Sequence, residues 1–478
     1  MRALLVFIAA LPVLADTGNA VCARCHAAIA KKYASTGMAQ TSGRTGQSAF
    51  KEQFGHPNVT PAYQLQIEGA TRQLEYFLGS GHIGRSYLFR KAGQLFQAPL
   101  SYYSAPKKWD TSPGYETKPY PELTRAVEPA CLQCHASPSR PFVDSGVTCE
   151  RCHGPGEKHA AAPGKRNIVN PAVLPAEQRD SVCAQCHLTG AARIARPGRA
   201  RGAFTPGEKL SDSIAVFIWD TPEGVEPTAT SHFEKLNRSR CRQSSGEKLW
   251  CGTCHEAHTD STPAHYNQQC QTCHTEKKCT GSQSQNCIDC HMPKRAAARS
   301  VEHLAFTDHA IPRRPTEPST QTAQALREFW TGQASPRDTA LAYAAANLDA
   351  AYPLLEEAAK ANAKDIPLLL QLAQYHERGN AEEKAEKLYA QILLADPANT
   401  TAAVNLGTYK IRQGNAKEAM ALWLQALARN PALISARLNL AVAQYQSGNP
   451  AAAKANLKAV LDYEPAHPAA LRLLAQIP

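Results

Sequence analysis

A five-residue pattern, Cys-x-x-Cys-His, recurs through the first three-fifths of the chain. Two copies lie close together in the segment CLQCHASPSRPFVDSGVTCERCH at 131–153, with their first cysteines 18 residues apart. Two thiols at this spacing can each form a thioether bond to a vinyl group of one porphyrin. The histidine that follows then lies beneath the iron as its axial ligand. The pattern is therefore typical of covalent attachment of c-type haem.

Seven copies of the pattern are present, and together they use 14 of the 16 cysteines. The motif cysteines, each expected to bond a porphyrin, are Cys22, Cys25, Cys131, Cys134, Cys149, Cys152, Cys183, Cys186, Cys251, Cys254, Cys270, Cys273, Cys287 and Cys290. The motif histidines, each expected to bind an iron from the proximal side, are His26, His135, His153, His187, His255, His274 and His291. Zinc ribbons also contain Cys-x-x-Cys pairs, but zinc does not require a histidine after every second cysteine. The sequence therefore favours seven covalent haems c over zinc.

The opposite, distal face of each iron needs a second ligand or stays open. The side chains outside the motifs that we expect to bind there are His159, His258, His309, His232, His303, His56 and Met38. His82 and His265 are weaker candidates, and His376 and His467 are poor ones because they fall in a helical region. His159 and His258 follow motif histidines by six and three residues. These loops are too short to reach the other face of the same porphyrin, so each should bind an adjacent haem.

Met38 is one of four methionines in the chain and follows the first motif histidine, His26, by twelve residues. A methionine ligand raises the potential of a haem, whereas two histidines favour a low one. We expect Met38 to bind the haem on Cys22 and Cys25 and to give it the highest potential in the chain. Alternatively, Met38 only packs against a porphyrin edge, and His56 or His82 is the ligand.

The formal charge of +11 does not indicate nucleic-acid binding. Residues 1–320 hold 37 Lys and Arg against 27 Asp and Glu, while residues 321–478 hold 15 against 14. Each haem carries two propionates, so the basic excess lies where the carboxylates of the cofactors would be. It is explained more simply as counter-charge for those groups.

The first residues, MRALLVFIAALPVLA, predict a secretory signal peptide over 1–15. Val13 and Ala15 are small residues at the −3 and −1 positions of a cleavage site after Ala15, and the apolar run is too short to span a membrane. No later stretch predicts a transmembrane segment. The protein should therefore be periplasmic or secreted. In that oxidising compartment the two remaining cysteines, Cys241 and Cys279, should form a disulfide or stay as two buried thiols.

The predicted fold is mainly α, with two parts. A multihaem cytochrome domain with little regular structure is expected over 16–311, and it includes a small antiparallel β unit at about 50–105 with runs rich in β-branched and aromatic residues. A further strand-like run is Ile214–Trp219. A Pro-rich linker at 312–320 leads to a helical domain at 321–478.

The last part of the chain has an internal repeat. Prolines stand at 397, 431 and 465, two steps of 34 residues, which is the period of tetratricopeptide repeats. The middle unit fits best, with Leu406, Gly407, Ala419, Trp423 and Ala426 at packing positions between helices. A degenerate unit is expected at about 336–365 and a capping half-repeat at 466–478. The sequence therefore predicts an α-helical tetratricopeptide solenoid, whose concave surface would hold a protein or peptide.

Four segments, CERCHGPGEKH, CGTCHEAH, CIDCHMPK and HLAFTDH, resemble the multihaem cytochromes c. They are similar to the family that includes the tetrahaem electron carrier of ammonia-oxidising bacteria. The resemblance covers about residues 20–315 and implies that His159, His258 and His309 are distal ligands. The chain departs from the family after the first motif, where Met38 stands in the usual place of a histidine.

Three functions are compatible with these features. The leading hypothesis is electron transfer along closely spaced haems, with the repeats docking a redox protein that could belong to a membrane complex. The alternative is a reductase for a small nitrogen or sulfur oxyanion, acting at one haem with an open face. A third is an assembly protein in which the haems are secondary. The number of candidate ligands shows no shortage for seven irons, which favours the carrier.

Overall fold

A computed structural model describes residues 17–67, 69–115, 123–136, 146–164, 167–199, 204–221, 232–275, 286–296, 305–313 and 325–478. The predicted signal peptide, His303, Cys279 and most of the predicted linker lie outside these residues. Among the described residues, no helix is long and apolar enough to cross a membrane.

The motif-bearing part contains short helices. They are α1 Asn19–Ala23, α2 Ala27–Tyr33, α3 Pro129–His135, α4 Glu150–His153, α5 Glu157–Ala161, α6 Ala176–His187, α7 His232–Arg238, α8 Arg240–Ser245, α9 Cys251–Cys254, α10 Pro263–Gln271 and α11 Cys287–His291. Single 3₁₀ turns occur at Pro171–Val173, Leu210–Asp212 and Gly246–Lys248. Helices α3, α4, α6 and α11 each end on a motif histidine. A helical turn brings residues three apart onto one face, which is the arrangement that two cysteines bonding one porphyrin require.

The predicted β unit is present as an antiparallel sheet, and it is larger than the sequence suggested. Its strands are β1 Ser42–Arg44, β2 Gln64–Ile67, β3 Ala70–Leu78, β4 Gly84–Lys91, β5 Gln94–Tyr103 and β6 Lys108–Thr111. The order is β1-β3-β4-β5-β6, with β2 also paired to β3. Alternate residues of β3 to β5 face a core that contains Leu74, Tyr87, Phe89 and Phe96. Strand β1 ties this sheet to the chain that follows the first motif.

Two further sheets lie in the second half of the motif-bearing part. Strand β8 is Ile214–Trp219, as the apolar run predicted, and it pairs with β7 Ala192–Ala195 and β11 Leu326–Glu328. Strands β9 Lys294–Ala296 and β10 Ala305–Thr307 form an antiparallel pair. The expectation of one small β unit was therefore incomplete, because short isolated strands give little periodic signal.

The last nine helices of the described chain form the predicted repeats. They are α12 Pro336–Ala345, α13 Ala351–Ala361, α14 Ile366–Arg378, α15 Glu382–Ala395, α16 Thr400–Arg412, α17 Ala416–Arg429, α18 Ile434–Gln446, α19 Pro450–Tyr463 and α20 Pro468–Gln476. Consecutive helices pair as α12·α13, α14·α15, α16·α17 and α18·α19, and α20 stands at the end as the expected half-repeat. Their apolar faces form the buried clusters between helices that the repeat pattern predicts.

Both ends of the repeat array contact the motif-bearing part. At one end, the Arg196 guanidinium pairs with the buried Asp338 carboxylate of α12 at 2.7 Å, and Leu326 packs with Phe217 of β8. At the other end, Tyr463 of α19 packs against Phe96 with ring centroids 5.8 Å apart. Strand β11, which belongs to the predicted repeat domain, is thus part of a sheet of the preceding one.

The packing of α16 against α17 requires a glycine. A Cβ on Gly407 would lie 2.5 Å from Nε1 of Trp423, whose side chain is buried. Alanine is favoured over glycine inside a helix by about 1 kcal/mol, but overpacking a core costs about 1–3 kcal/mol and the Trp423 ring cannot retreat.

We therefore expect Gly407→Ala to lower the free energy of unfolding by about 1–2 kcal/mol, measured by urea denaturation of the whole protein with helical circular dichroism. Gly379→Ala is the matched control. Its φ is −86°, and a Cβ there would meet nothing closer than 3.4 Å. Equal stability of the two variants would contradict this account of the repeat core.

Candidate functional site

One cavity of about 3740 Å³ lies in the motif-bearing part. All seven motif histidines line it, and so do 13 of the 14 motif cysteines, with Cys131 as the exception. A pocket for one small molecule usually measures about 300–1,000 Å³. The cavity is therefore large enough for several ligands, and the residues that share it are those that the sequence singled out.

The distal candidates divide into two groups. Met38, His159, His232, His258 and His309 line the cavity, whereas His56, His82 and His265 do not. The excluded histidines lie elsewhere: His56 accepts a hydrogen bond from the Asn58 N–H within its own loop, His82 is exposed, and His265 donates from Nε2 to the Cys254 carbonyl at 3.2 Å.

Three pairs of imidazole rings lie nearly parallel, and each pair contains one motif histidine and one distal candidate. The pairs, with centroid separation and interplanar angle, are His26–His159 at 6.3 Å and 16°, His153–His258 at 6.0 Å and 7°, and His255–His309 at 6.2 Å and 20°. Aromatic pairs in general have centroids about 4.5–7 Å apart, so one separation alone decides little. The same arrangement in three pairs is the informative observation.

This separation matches two imidazoles that bind opposite faces of one metal. A metal–imidazole bond of about 2.0 Å, with the ring centre about 1.2 Å beyond the nitrogen, gives a centroid separation of roughly 6.4 Å. In each pair, the distal candidate follows one motif in the sequence, and the histidine that it faces belongs to a different motif. His159 follows the motif of His153, for example, yet faces His26. The paired rings thus come from different motif segments, and their role as ligands stays a prediction.

The ring that faces His26 is that of His159, in the position expected for Met38. Met38 lines the same cavity, and its carbonyl accepts a hydrogen bond from the Val147 N–H at 3.0 Å. The ligation of an iron by Met38 stays a prediction.

His232 occupies a more crowded place. Its ring lies 5.3 Å from that of His187 and 4.6 Å from that of His309, edge-on in both cases. Burial, together with the neighbouring His309, His187 and His255, lowers the pKa of His232 to about 3. Burial likewise lowers the pKa of His255, to about 4. These imidazoles are therefore neutral near pH 7, which is the form that binds a metal.

Several of these rings are oriented through Nδ1. His153 Nδ1 lies 2.7 Å from the Val169 carbonyl, His291 Nδ1 lies 2.9 Å from the Pro312 carbonyl, and His309 Nδ1 lies 3.0 Å from that of Thr307. A carbonyl only accepts, so each Nδ1 carries the proton and donates it. This leaves the Nε2 lone pair for a metal, which is the usual arrangement of a ligating histidine. The Nδ1 of His159 is buried without a partner.

Thiols from different motifs lie in hydrogen-bonding contact. The pairs found among the described residues are Cys22 with Cys149, Cys134 with Cys186, Cys183 with Cys251, and Cys270 with Cys287. Burial raises the pKa of Cys152 to about 11, so this thiol is protonated near neutral pH. These contacts place the attachment points of neighbouring motifs directly beside one another.

The charge of the cavity wall is positive on balance. Its cationic side chains are those of Arg24, Arg151, Arg238, Arg240, Lys294 and Arg313. Its acidic side chains are those of Glu150, Glu256, Asp260 and Asp289. Part of the basic excess counted from the sequence therefore lies on the wall of this cavity.

Cys241 also lines the cavity, and it lies close enough to the motif cysteine Cys254 to raise the pKa of that thiol, after the larger effect of burial. Its proposed disulfide partner, Cys279, lies outside the described residues. The disulfide stays a prediction.

Two contributors to the site were missed from the sequence. Tyr33 is buried, donates from its hydroxyl to the Val147 carbonyl at 2.8 Å, and meets His258 edge-on at 6.4 Å. Thr41 Oγ1 lies 2.8 Å from Nδ1 of His135, which is 94 residues away. Neither belongs to a motif, and contacts at that sequence distance leave no local signal.

Among the described residues, no three His, Cys, Asp or Glu side chains gather closely enough to hold one metal ion.

Comparison with protein-family models identifies the repeats. Residues 410–477 match the model of a tetratricopeptide repeat family. The C-terminal part of the chain is thus a tetratricopeptide repeat region, as predicted. No curated protein matches the chain.

Among solved structures, a MamA AMB-1 structure is 25% identical over 30% of this chain and 85% of its own, with a TM-score of 0.27. A crystal structure of MamA protein is 17% identical over 27% of this chain and 70% of its own, with a TM-score of 0.26. The first TPR of Spaghetti (RPAP3), bound to an HSP90 peptide, is 21% identical over 24% and 90%, with a TM-score of 0.23.

Proposed function

We propose that the protein is a heptahaem c-type cytochrome that carries electrons along closely spaced haems, in the periplasm or outside the cell. The observation that supports this most is the single cavity shared by seven motif histidines and 13 motif cysteines. A haem supplies reversible one-electron chemistry at its iron, and its potential follows from the axial ligands.

The residues of the chain have three tasks in this proposal. The paired thiols of each motif anchor one porphyrin, and the motif histidine supplies Nε2 to its iron. Carbonyls such as that of Val169, beside His153, hold the ring orientation by accepting the Nδ1 proton. The cationic side chains of the cavity wall, among them Arg151 and Arg313, balance the propionates.

The stacked pairs support a second histidine ligand for three of the seven irons, those at His26, His153 and His255. For the iron at His187, His232 is the proposed partner, 5.3 Å away. Two imidazoles close both faces of an iron to substrates and favour electron transfer at low potential. His159, which faces His26, is therefore the proposed second ligand of the first haem in place of Met38.

The alternative, a reductase acting on a small nitrogen or sulfur oxyanion at one open haem, rests on a different observation. Among the described residues, no histidine is stacked with His135, His274 or His291. A haem with one free face at any of these positions could bind a substrate. Four motif histidines have a proposed second histidine ligand and three do not, which favours the electron carrier.

The repeats are proposed to dock a redox protein partner. Repeat arrays of this kind bind proteins through extended surfaces. Exposed apolar side chains are available on the array, including Leu424 of α17, Val442 and Tyr445 of α18 and Leu471 of α20. These side chains are proposed to contact the partner.

Intact mass tests the proposed cofactor content. After export from a host that attaches haem c, the protein should be heavier than its apo chain by seven haem masses, since each motif has both cysteines and its histidine. A stable, folded product without covalent haem would contradict the proposal, and one with fewer than seven would contradict the claim that every motif is used.

The role of His258 can be tested by substitution. His258→Ala should convert one ferric haem from low-spin to high-spin, detectable by electron paramagnetic resonance, because the iron at His153 loses its second imidazole. His265→Ala is the matched control, since His265 lies on a neighbouring turn but outside the cavity, and its spectrum should be unchanged. An unaltered spin state in His258→Ala would show that this histidine is not a ligand.

A further inference from the structure

We propose that Thr41 is a positioning residue for His135 and lowers the potential of the haem attached at Cys131 and Cys134. This inference rests on the proposed function, because it concerns an iron held by His135. The Thr41 Oγ1 atom lies 2.8 Å from His135 Nδ1, and Thr41 lines the same cavity.

The direction of this hydrogen bond follows from the task of His135. With Nε2 bound to an iron, the remaining ring nitrogen carries a proton and must donate. The Thr41 hydroxyl oxygen accepts it. Such an acceptor fixes the plane of the ring and makes the imidazole a stronger donor to the metal. A stronger donor stabilises the ferric state more than the ferrous state, so the midpoint potential falls.

The position of Thr41 is fixed by its surroundings. Its carbonyl accepts a hydrogen bond from the Gly79 N–H at 2.7 Å, at the end of β3, and the next residue begins β1. The same segment pairs with the chain before the third motif, where the Gly146 N–H donates to the Ala39 carbonyl at 2.7 Å. The backbone that carries this hydroxyl is therefore held in place by the antiparallel sheet.

A glycine is needed for this approach. A Cβ on Gly146 would lie 2.7 Å from both the Cγ2 and the backbone nitrogen of Thr41 and 2.6 Å from the Met38 carbonyl oxygen. Only a residue without a side chain allows these segments to come so close. The segment that leads into β1 thus contacts His135 directly.

The arrangement differs between motifs. The acceptors for His153 and His291 are backbone carbonyls, which no substitution removes. For His135 the acceptor is a side-chain hydroxyl, so a substitution can remove it and leave the backbone in place. Tyr266 makes a longer contact of the same type with His255 Nδ1, at 3.3 Å.

The test uses three variants of the full, haem-loaded protein. Thr41→Val keeps the shape of the side chain and removes the acceptor, whereas Thr41→Ser keeps the acceptor. The control is Thr45→Val, which changes a threonine directly after β1 whose hydroxyl donates to the Leu74 carbonyl. Mass spectrometry first counts the haems, and a spectroscopic redox titration then gives the midpoints. If the valine variant does not fold, Thr41→Ala replaces it.

We expect seven haems in every variant and a higher midpoint for one haem in Thr41→Val alone. Loss of such an outer contact typically changes metal affinity at least about tenfold. If the affinity for ferric iron falls tenfold and that for ferrous iron is unchanged, the midpoint potential rises by about 59 mV for a one-electron couple.

Two results would overturn the inference and leave the proposed function intact. One is an unchanged titration in haem-loaded Thr41→Val. The other is an equal shift in Thr41→Ser, which would assign the effect to packing. The absence of covalent haem from the unmodified protein would overturn the proposed function together with this inference.

Discussion

The meeting of histidines from different segments is the constraint on which the arrangement of the motif-bearing part depends. His159 lies six residues after His153 but faces His26, and His258 lies three residues after His255 but faces His153. Each short segment therefore carries groups aimed at two neighbouring centres. If these centres are irons, one segment cannot move without disturbing both.

The repeats and the β unit both contact the motif-bearing part of the chain. The array touches it at both ends, through Asp338 of α12 and through Tyr463 of α19. The β unit contacts the cavity through Thr41, because Thr41 directly precedes β1, and β1 pairs with β3. The repeat array is thus anchored to the rest of the chain at both ends.

Periodic and local features were predictable from the sequence, and contacts between distant segments were not. The strand at Ile214–Trp219 and the 34-residue repeats follow from apolar patterning. Strand β11 could not be predicted, because three residues carry no period and their partner strand lies about a hundred residues earlier. For the site, spacing identified the motifs, whereas the role of His159 as a ligand stays a prediction. The contact of Thr41 with His135 depends on how the β unit folds, which no motif encodes.

Diffraction can test directly the proposed positions of the irons between the paired histidine rings. In crystals of the exported protein, anomalous scattering at the iron absorption edge should show an iron atom midway between the His153 and His258 rings, with further iron atoms between His26 and His159 and between His255 and His309. Rings in direct contact with no iron between them, or a scatterer with the absorption edge of zinc bound by the motif cysteines, would contradict it.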